Sequence, residues 1–257
     1  MKTQTHVGPE PKHIWPYLAW TFGISWGSWL ILYILAALKL TSGDQPLGYA
    51  LIIIGGFGPA LGTFISLKIS HPKKMLDFIF SHAKGWWMYM LAFCLVRVLT
   101  LFIANPALPP LNAVLMFPLG WLLITFVGGG NEEIGWQGFL QPSLEKILPF
   151  PLATVTTGLI WAVWHLPLFF TPGSSQAGTS FLVFTAACLL ARFWLAALYK
   201  VSQSILYCVL FHGAINTIGE GIFLGKGTEN PLFFLGYILM AAYSIYLWYQ
   251  RDQQDKA

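Results

Sequence analysis

Eight apolar stretches, cut apart by short polar or proline-bearing breaks, set the limits on what this 257-residue chain can become. They fall at residues 14–40, 47–69, 85–104, 113–130, 151–170, 178–199, 204–224 and 231–249. A helix needs about 20 apolar residues to cross a bilayer. Lipid offers the backbone no hydrogen-bond partner, so each stretch must satisfy its own amides as a helix. The breaks carry helix-ending residues: Asp44-Gln45-Pro46, His71-Pro72-Lys73-Lys74, Pro106 with Pro109 and Pro110, Pro149-Phe150-Pro151, and Pro172-Gly173-Ser174-Ser175. The expected architecture is all-α, a polytopic membrane bundle of about eight transmembrane helices. It forms one integral membrane domain over 1–257, with no internal repeat, and its chemistry concentrates in a core over about 111–224.

Composition agrees, because only 9% of the residues are charged and 56% are hydrophobic. A soluble domain carries about 25% charge, so this chain could not clothe a water-facing surface. Its net charge of +4 is small, and no Lys/Arg cluster is interleaved with aromatics, which argues against nucleic acid as a partner. The lipid bilayer is the expected partner. Cys94, Cys188 and Cys208 each sit in an apolar run without CxxC spacing and read as packing thiols. The first apolar stretch is too long for a signal-peptide core and reads as the first spanning helix.

Loop charge gives an orientation. With eight spans, one side holds Lys2, Lys12, Lys68, Lys73, Lys74, Lys84, Lys146, Lys200, Arg251 and Lys256, and the other only Lys39 and Lys226. Basic loops stay inside, so a multi-pass membrane protein with both termini in the cytoplasm is expected.

Ionisable groups inside spans are expensive and mark functional hypotheses. The set is short: Arg97, Glu132, Glu133, His165, Arg192, His212 and, near a helix end, Glu220. Glu132 lies 17 residues before Pro149 and His165 lies 16 after it. If the helix before that turn continues through the Glu pair, the two form an antiparallel hairpin. Both residues then lie roughly 25 Å from the turn, at one level. His212 and Asn216 share a helix face at i, i+4, as do Trp161 and His165. A carboxylate and an imidazole can take a proton from water, while imidazole and carboxamide N–H groups can stabilise an oxyanion. Adjacent Glu132 and Glu133 point about 100° apart, so one faces such a pocket and the other needs a partner elsewhere. Gly128-Gly129-Gly130 allows close helix packing or a kink beside them, and Trp136 and Trp164 are candidates to line the pocket. Each polar residue also has a plainer reading as interhelical glue, which for Arg97 and Arg192 means a structural ion pair or a snorkelling cation.

Glu132-Glu133-Ile134-Gly135-Trp136-Gln137-Gly138-Phe139-Leu140, followed by Trp161-x-x-x-His165 and His212-x-x-x-Asn216, resembles the CPBP family. That family comprises type II CAAX prenyl endopeptidases and bacteriocin-processing or immunity-type relatives, with the motifs EExxxR, FxxxH and HxxxN on an eight-helix fold. The resemblance covers about residues 130–220. It implies an intramembrane endopeptidase acting on a membrane-associated or lipidated peptide or protein, with Glu132 activating water assisted by His165. It also implies that His212 and Asn216 form the oxyanion site. Glu133, Gln137 and Trp161 would support them. Relatives have been described as metalloproteases, but a glutamate-activated water needs no metal, and no HExxH motif occurs. The expectation is no cofactor and no metal ligands, a divalent ion such as zinc on two Glu and two His being the disfavoured alternative.

Two positions depart from the family pattern. Trp161 stands where Phe is usual, an exchange expected to be harmless. Gln137 stands where Arg is usual; Gln can hydrogen-bond Glu133 but cannot neutralise it, so Glu133 is either protonated or paired with another cation, and Arg97 or Arg192 is expected to reach it. The missing arginine also keeps open a non-catalytic immunity or scaffold protein of the same fold. A proton-coupled transporter is the third possibility, because Glu and His also make proton relays.

Overall fold

Prolines that break the apolar stretches open the helices that follow them, since a proline in the first turn forfeits no helical hydrogen bond. Helix α2 (Pro46–Gly56) and α4 (Pro72–Phe80) begin on one, α9 (Phe150–Trp164) carries one in its first turn, and α13 (Pro231–Lys256) begins on another. The remaining helices are α1 (Ile14–Ala37), α3 (Gly58–Ser66), α5 (Trp87–Ala104), α6 (Leu111–Val127), α7 (Glu133–Gly135), α8 (Gln141–Leu144), α10 (Leu166–Phe169), α11 (Phe181–Ser202) and α12 (Ile205–Asn216). The computed structural model describes residues 9–81, 87–104, 109–222 and 231–256, and every regular element among them is helical.

Four described stretches are long and apolar enough to cross a membrane: Pro11–Ala37, Pro46–Ser66, Leu111–Leu144 and Phe181–Ser202. Met90–Ile103, Phe150–Trp164 and Ile205–Gly219 are shorter apolar helices. The protein is thus a multi-pass membrane protein, while the number eight stays an expectation. Its burial pattern is that of a lipid-embedded bundle. Leu30, Leu95, Leu119, Leu123 and Ile238 face outward, whereas Glu132, Glu133, His165, Arg192 and His212 are buried. The connection between the second and third stretches holds a helix that hydropathy reading passes over. Helix α4 is short and amphipathic, and its Phe78 packs with Ile79 against Ile134, Ile205 and Val209.

Small residues draw the helices together. Helix α1 is stitched to α2 by Ser25 Oγ donating to the Gly55 carbonyl (2.7 Å) and Ser28 Oγ to that of Leu51 (2.7 Å). Trp29 Nε1 adds a bond to the Ile52 carbonyl (3.2 Å). Helix α12 crosses α6 at Gly213, where a methyl group would stand 2.8 Å from Thr125 Cα and 2.9 Å from its Cβ. Neither backbone can yield without separating the helices. Gly213→Ala is therefore expected to lower the unfolding midpoint of the solubilised protein by an overpacking cost of about 1–3 kcal/mol. Gly23→Ala, with nothing within 4 Å of the new methyl, is the control expected to leave the midpoint unchanged or raised.

Candidate active site

The segment carrying the two glutamates is not a continuation of α6, and here the expected unbroken hairpin is corrected. Helix α6 ends at Val127, and Gly129 takes φ 133°, a conformation that favours glycine. A 3-10 turn follows over Gly130–Glu132, then α7, a π-helical turn over Trp136–Leu140, and α8. The glycine run does both things foreseen for it. Gly129 makes the kink, and Gly130 allows close packing, a methyl there falling 2.5 Å from the Thr125 carbonyl oxygen and 2.6 Å from that of Val209. Asn131, which sequence reasoning missed, fastens the kink. Its Nδ2 donates to the Gly56 carbonyl (3.1 Å) at the break between α2 and α3, and its Oδ1 accepts from Gly129 N–H (3.3 Å). A polar residue directly before an intramembrane Glu pair was the signal available for it.

The glutamates divide as their adjacency requires. Glu132 lines a cavity of about 210 Å³ together with Gly129, Trp161, His165, His212 and Asn216. Two indole N–H groups donate to its Oε2, that of Trp161 at 2.7 Å and that of Trp136 at 3.3 Å. Glu133 turns away, wholly buried, into a fork from Arg192 on α11. Arg192 Nη1 donates to Oε2 (2.9 Å), and Nη2 to Oε1. His212 Nδ1 also reaches Oε1 (2.7 Å). Three donors thus converge on one carboxylate, the arrangement a buried charge needs.

Of the two arginines proposed for Glu133, the structure puts Arg192 there. Arg97 instead lies over the Tyr237 ring, 4.6 Å from its centroid, and lines a neighbouring cavity of about 340 Å³. The two cavities share Trp161, Ser175, Gln176, Phe184 and Asn216. Gln137 is fully buried, and its carboxamide makes no hydrogen bond to Glu133 or to any other described residue. The π-helical turn beginning at Trp136 departs from the 3.6-residue period on which an i, i+4 contact depends. The Glu220 side chain lies outside the described residues.

Hydrogen-bond partners fix the imidazole tautomers. His165 caps α9, and its Nδ1 sits 2.9 Å from the Trp161 carbonyl oxygen, which can only accept. Nδ1 therefore carries the proton, and in the neutral ring Nε2 keeps a lone pair. His212 Nδ1–H is likewise committed to the Glu133 carboxylate, so its Nε2 becomes a donor only in the imidazolium form. Neutral His212 therefore has no Nε2–H to offer an oxyanion. A methyl on Gly129 would lie 2.8 Å from Asn216 Nδ2, 3.3 Å from His212 Nε2 and 3.7 Å from Glu132 Oε1, so these three atoms converge on one small space. Gly129→Ala is expected to strain the backbone and crowd that space, lowering the unfolding midpoint of the solubilised protein, which thermal unfolding measures. Among the described residues, no three His, Cys, Asp or Glu side chains are grouped to hold a metal ion.

A buried carboxylate with a free oxygen, an imidazole with an open nitrogen and a carboxamide N–H can together activate water and stabilise an oxyanion. Residues 114–218 match the sequence profile of a family described as type II CAAX prenyl endopeptidase Rce1-like. Over 136 residues the chain is 25% identical to a protein of Methanococcus maripaludis named CAAX prenyl protease 2. That alignment takes in 49% of each chain, so this chain spans about half the length of the curated relative it matches.

Proposed function

We propose that this chain, whose residues 114–218 are similar to the type II CAAX prenyl endopeptidase Rce1-like family, is an intramembrane endopeptidase hydrolysing a peptide bond of a membrane-associated or lipidated peptide or protein. The observation that carries this reading is the convergence of Glu132 Oε1, His212 Nε2 and Asn216 Nδ2 on the space beside Gly129. Water held there gives a proton to Glu132 Oε1 while its oxygen bonds to the scissile carbonyl carbon. His165 Nε2 orients the water by accepting its second hydrogen. The oxyanion that forms meets the Asn216 N–H and His212 as its imidazolium, whose positive charge the Glu133 carboxylate offsets. When the carbon–nitrogen bond breaks, Glu132 returns the proton to the leaving amine, and the cycle closes without external oxidant or reductant.

Arg192 removes the main argument for a non-catalytic scaffold. That reading rested on Gln137 leaving Glu133 without a cation, and α11 supplies one. For the setting, the loop charges favour both termini in the cytoplasm, and the Methanococcus maripaludis relative favours a prokaryotic cell membrane.

The test incubates purified wild type, Glu132→Gln and His165→Ala with a membrane-peptide library and follows cleavage by mass spectrometry, with and without a chelator. Cleavage by wild type that survives the chelator and is lost in both variants is the expected result. Cleavage abolished by the chelator would overturn the metal-free route, and cleavage that persists in Glu132→Gln would overturn the assignment of the base.

A further inference from the structure

We infer that Trp161 is the positioning residue of Glu132: its indole N–H holds Oε2 and thereby turns Oε1 towards the space beside Gly129. The inference rests on the hydrolytic reading for the role of Oε1, but not for the clamp itself. Four contacts meet at this one side chain. Its edge donates to Glu132 Oε2 at 2.7 Å, and the Arg192 guanidinium sits over its face, 4.3 Å from the ring centroid. The rings of His165 and His212 meet it edge-on, with centroids 5.5 Å and 5.4 Å away. Its backbone carbonyl accepts from His165 Nδ1 and so sets that tautomer. Trp161 therefore links Glu132 through its edge and the Arg192–Glu133 pair through its face.

The choice of oxygen follows from counting donors. Both indole N–H groups, from Trp161 and Trp136, land on Oε2, and no protein donor reaches Oε1 among the described residues. Oε1 is the oxygen that lies 3.7 Å from where a Gly129 methyl would stand, beside Asn216 Nδ2 and His212 Nε2. A carboxylate free to flip would present either oxygen. One held at Oε2 by two donors presents Oε1 alone, and holding a base within reach of its proton is where positional precision gains rate. Phenylalanine at 161 would keep the face for Arg192 and the edges for the histidines but would lose the donor. The exchange for tryptophan is thus a change of chemistry as well as of size.

The decisive variant is Trp161→Phe, with Trp136→Phe as companion, in protein carrying nitrogen-15 at tryptophan. The Trp161 indole N–H resonance, identified by its loss in Trp161→Phe, should lie downfield, as charge-assisted donors do. It should move in Glu132→Gln and stay put in the control Glu10→Gln, a half-buried glutamate paired with Lys12. With the library peptide that wild type cleaves best, Trp161→Phe should lower kcat by roughly 10- to 100-fold, the worth of one hydrogen bond to a charged group, and leave KM unchanged. Trp136→Phe should cost less, its bond being longer. A Trp161 resonance indifferent to Glu132→Gln would overturn the clamp even if no substrate is cleaved. A wild-type kcat in Trp161→Phe would overturn its positioning role while leaving the hydrolytic reading intact.

Discussion

Arg192→Leu is expected to cost about 3–5 kcal/mol of stability, the penalty for stranding a buried charge. Glu133 has no exposed surface, and the Arg192 guanidinium holds both of its oxygens. Without that fork, His212 alone remains bonded to the carboxylate. Its imidazolium would then have to neutralise Glu133 and serve the oxyanion together. The double variant Arg192→Leu with Glu133→Gln removes both charges and is expected to regain most of the lost stability, because a pair deleted as a unit leaves nothing unpaired. Denaturant or thermal unfolding of the solubilised variants measures this. Equal destabilisation in the single and double variants would show that Arg192 acts through packing on Trp161 instead. The double variant is still expected to be a poor catalyst, since a neutral carboxamide at position 133 no longer supports a cation on His212.

Glu132→Gln is expected to reduce turnover by roughly 100- to 10,000-fold, the range over which a general base contributes, and to leave the unfolding midpoint near that of wild type. The carboxamide has the same shape, and its oxygen can accept the Trp161 and Trp136 indole N–H groups as Oε2 does. What it lacks is a proton acceptor facing the space beside Gly129. The contrast with Arg192→Leu separates the two adjacent glutamate positions. Removing the function of Glu132 should abolish activity with little change in stability, whereas unpairing Glu133 should unfold the protein first. Turnover that persists in Glu132→Gln at more than about a tenth of wild type would end the case for Glu132 as the base.

Much of this site is legible in the sequence because membrane chemistry leaves few residues to choose among. A chain with 9% charged residues has only a handful of ionisable groups inside its apolar stretches. Each is costly enough there that it must find a partner. Adjacency alone forces Glu132 and Glu133 apart, and the family resemblance, with Gln137 where its arginine is usual, implies a cation near Glu133. The i, i+4 spacing of Trp161 and His165 places them on one face, and in the structure the Trp161 carbonyl bonds His165 directly. Periodicity did not show the kink at Gly129, the π-helical turn after it, or helix α4. Such departures cost little locally and are decided by what packs against them, as Asn131 reaching Gly56 does for the kink.

The sequence by itself determined that this chain is a bundle of membrane helices, which polar residues must lie inside it, and that one of the two adjacent glutamates must find a partner away from the other. Each of these follows from the cost of polar groups in lipid, which depends on residue type alone. Only the tertiary structure decided that the cation is Arg192 rather than Arg97, and that His212 commits Nδ1 to Glu133. It likewise decided that Trp161 and Trp136 hold one oxygen of Glu132 and leave the other free. Those choices rest on hydrogen bonds made between helices, where an ångström or two of placement selects the partner and the order of residues along the chain sets no distance.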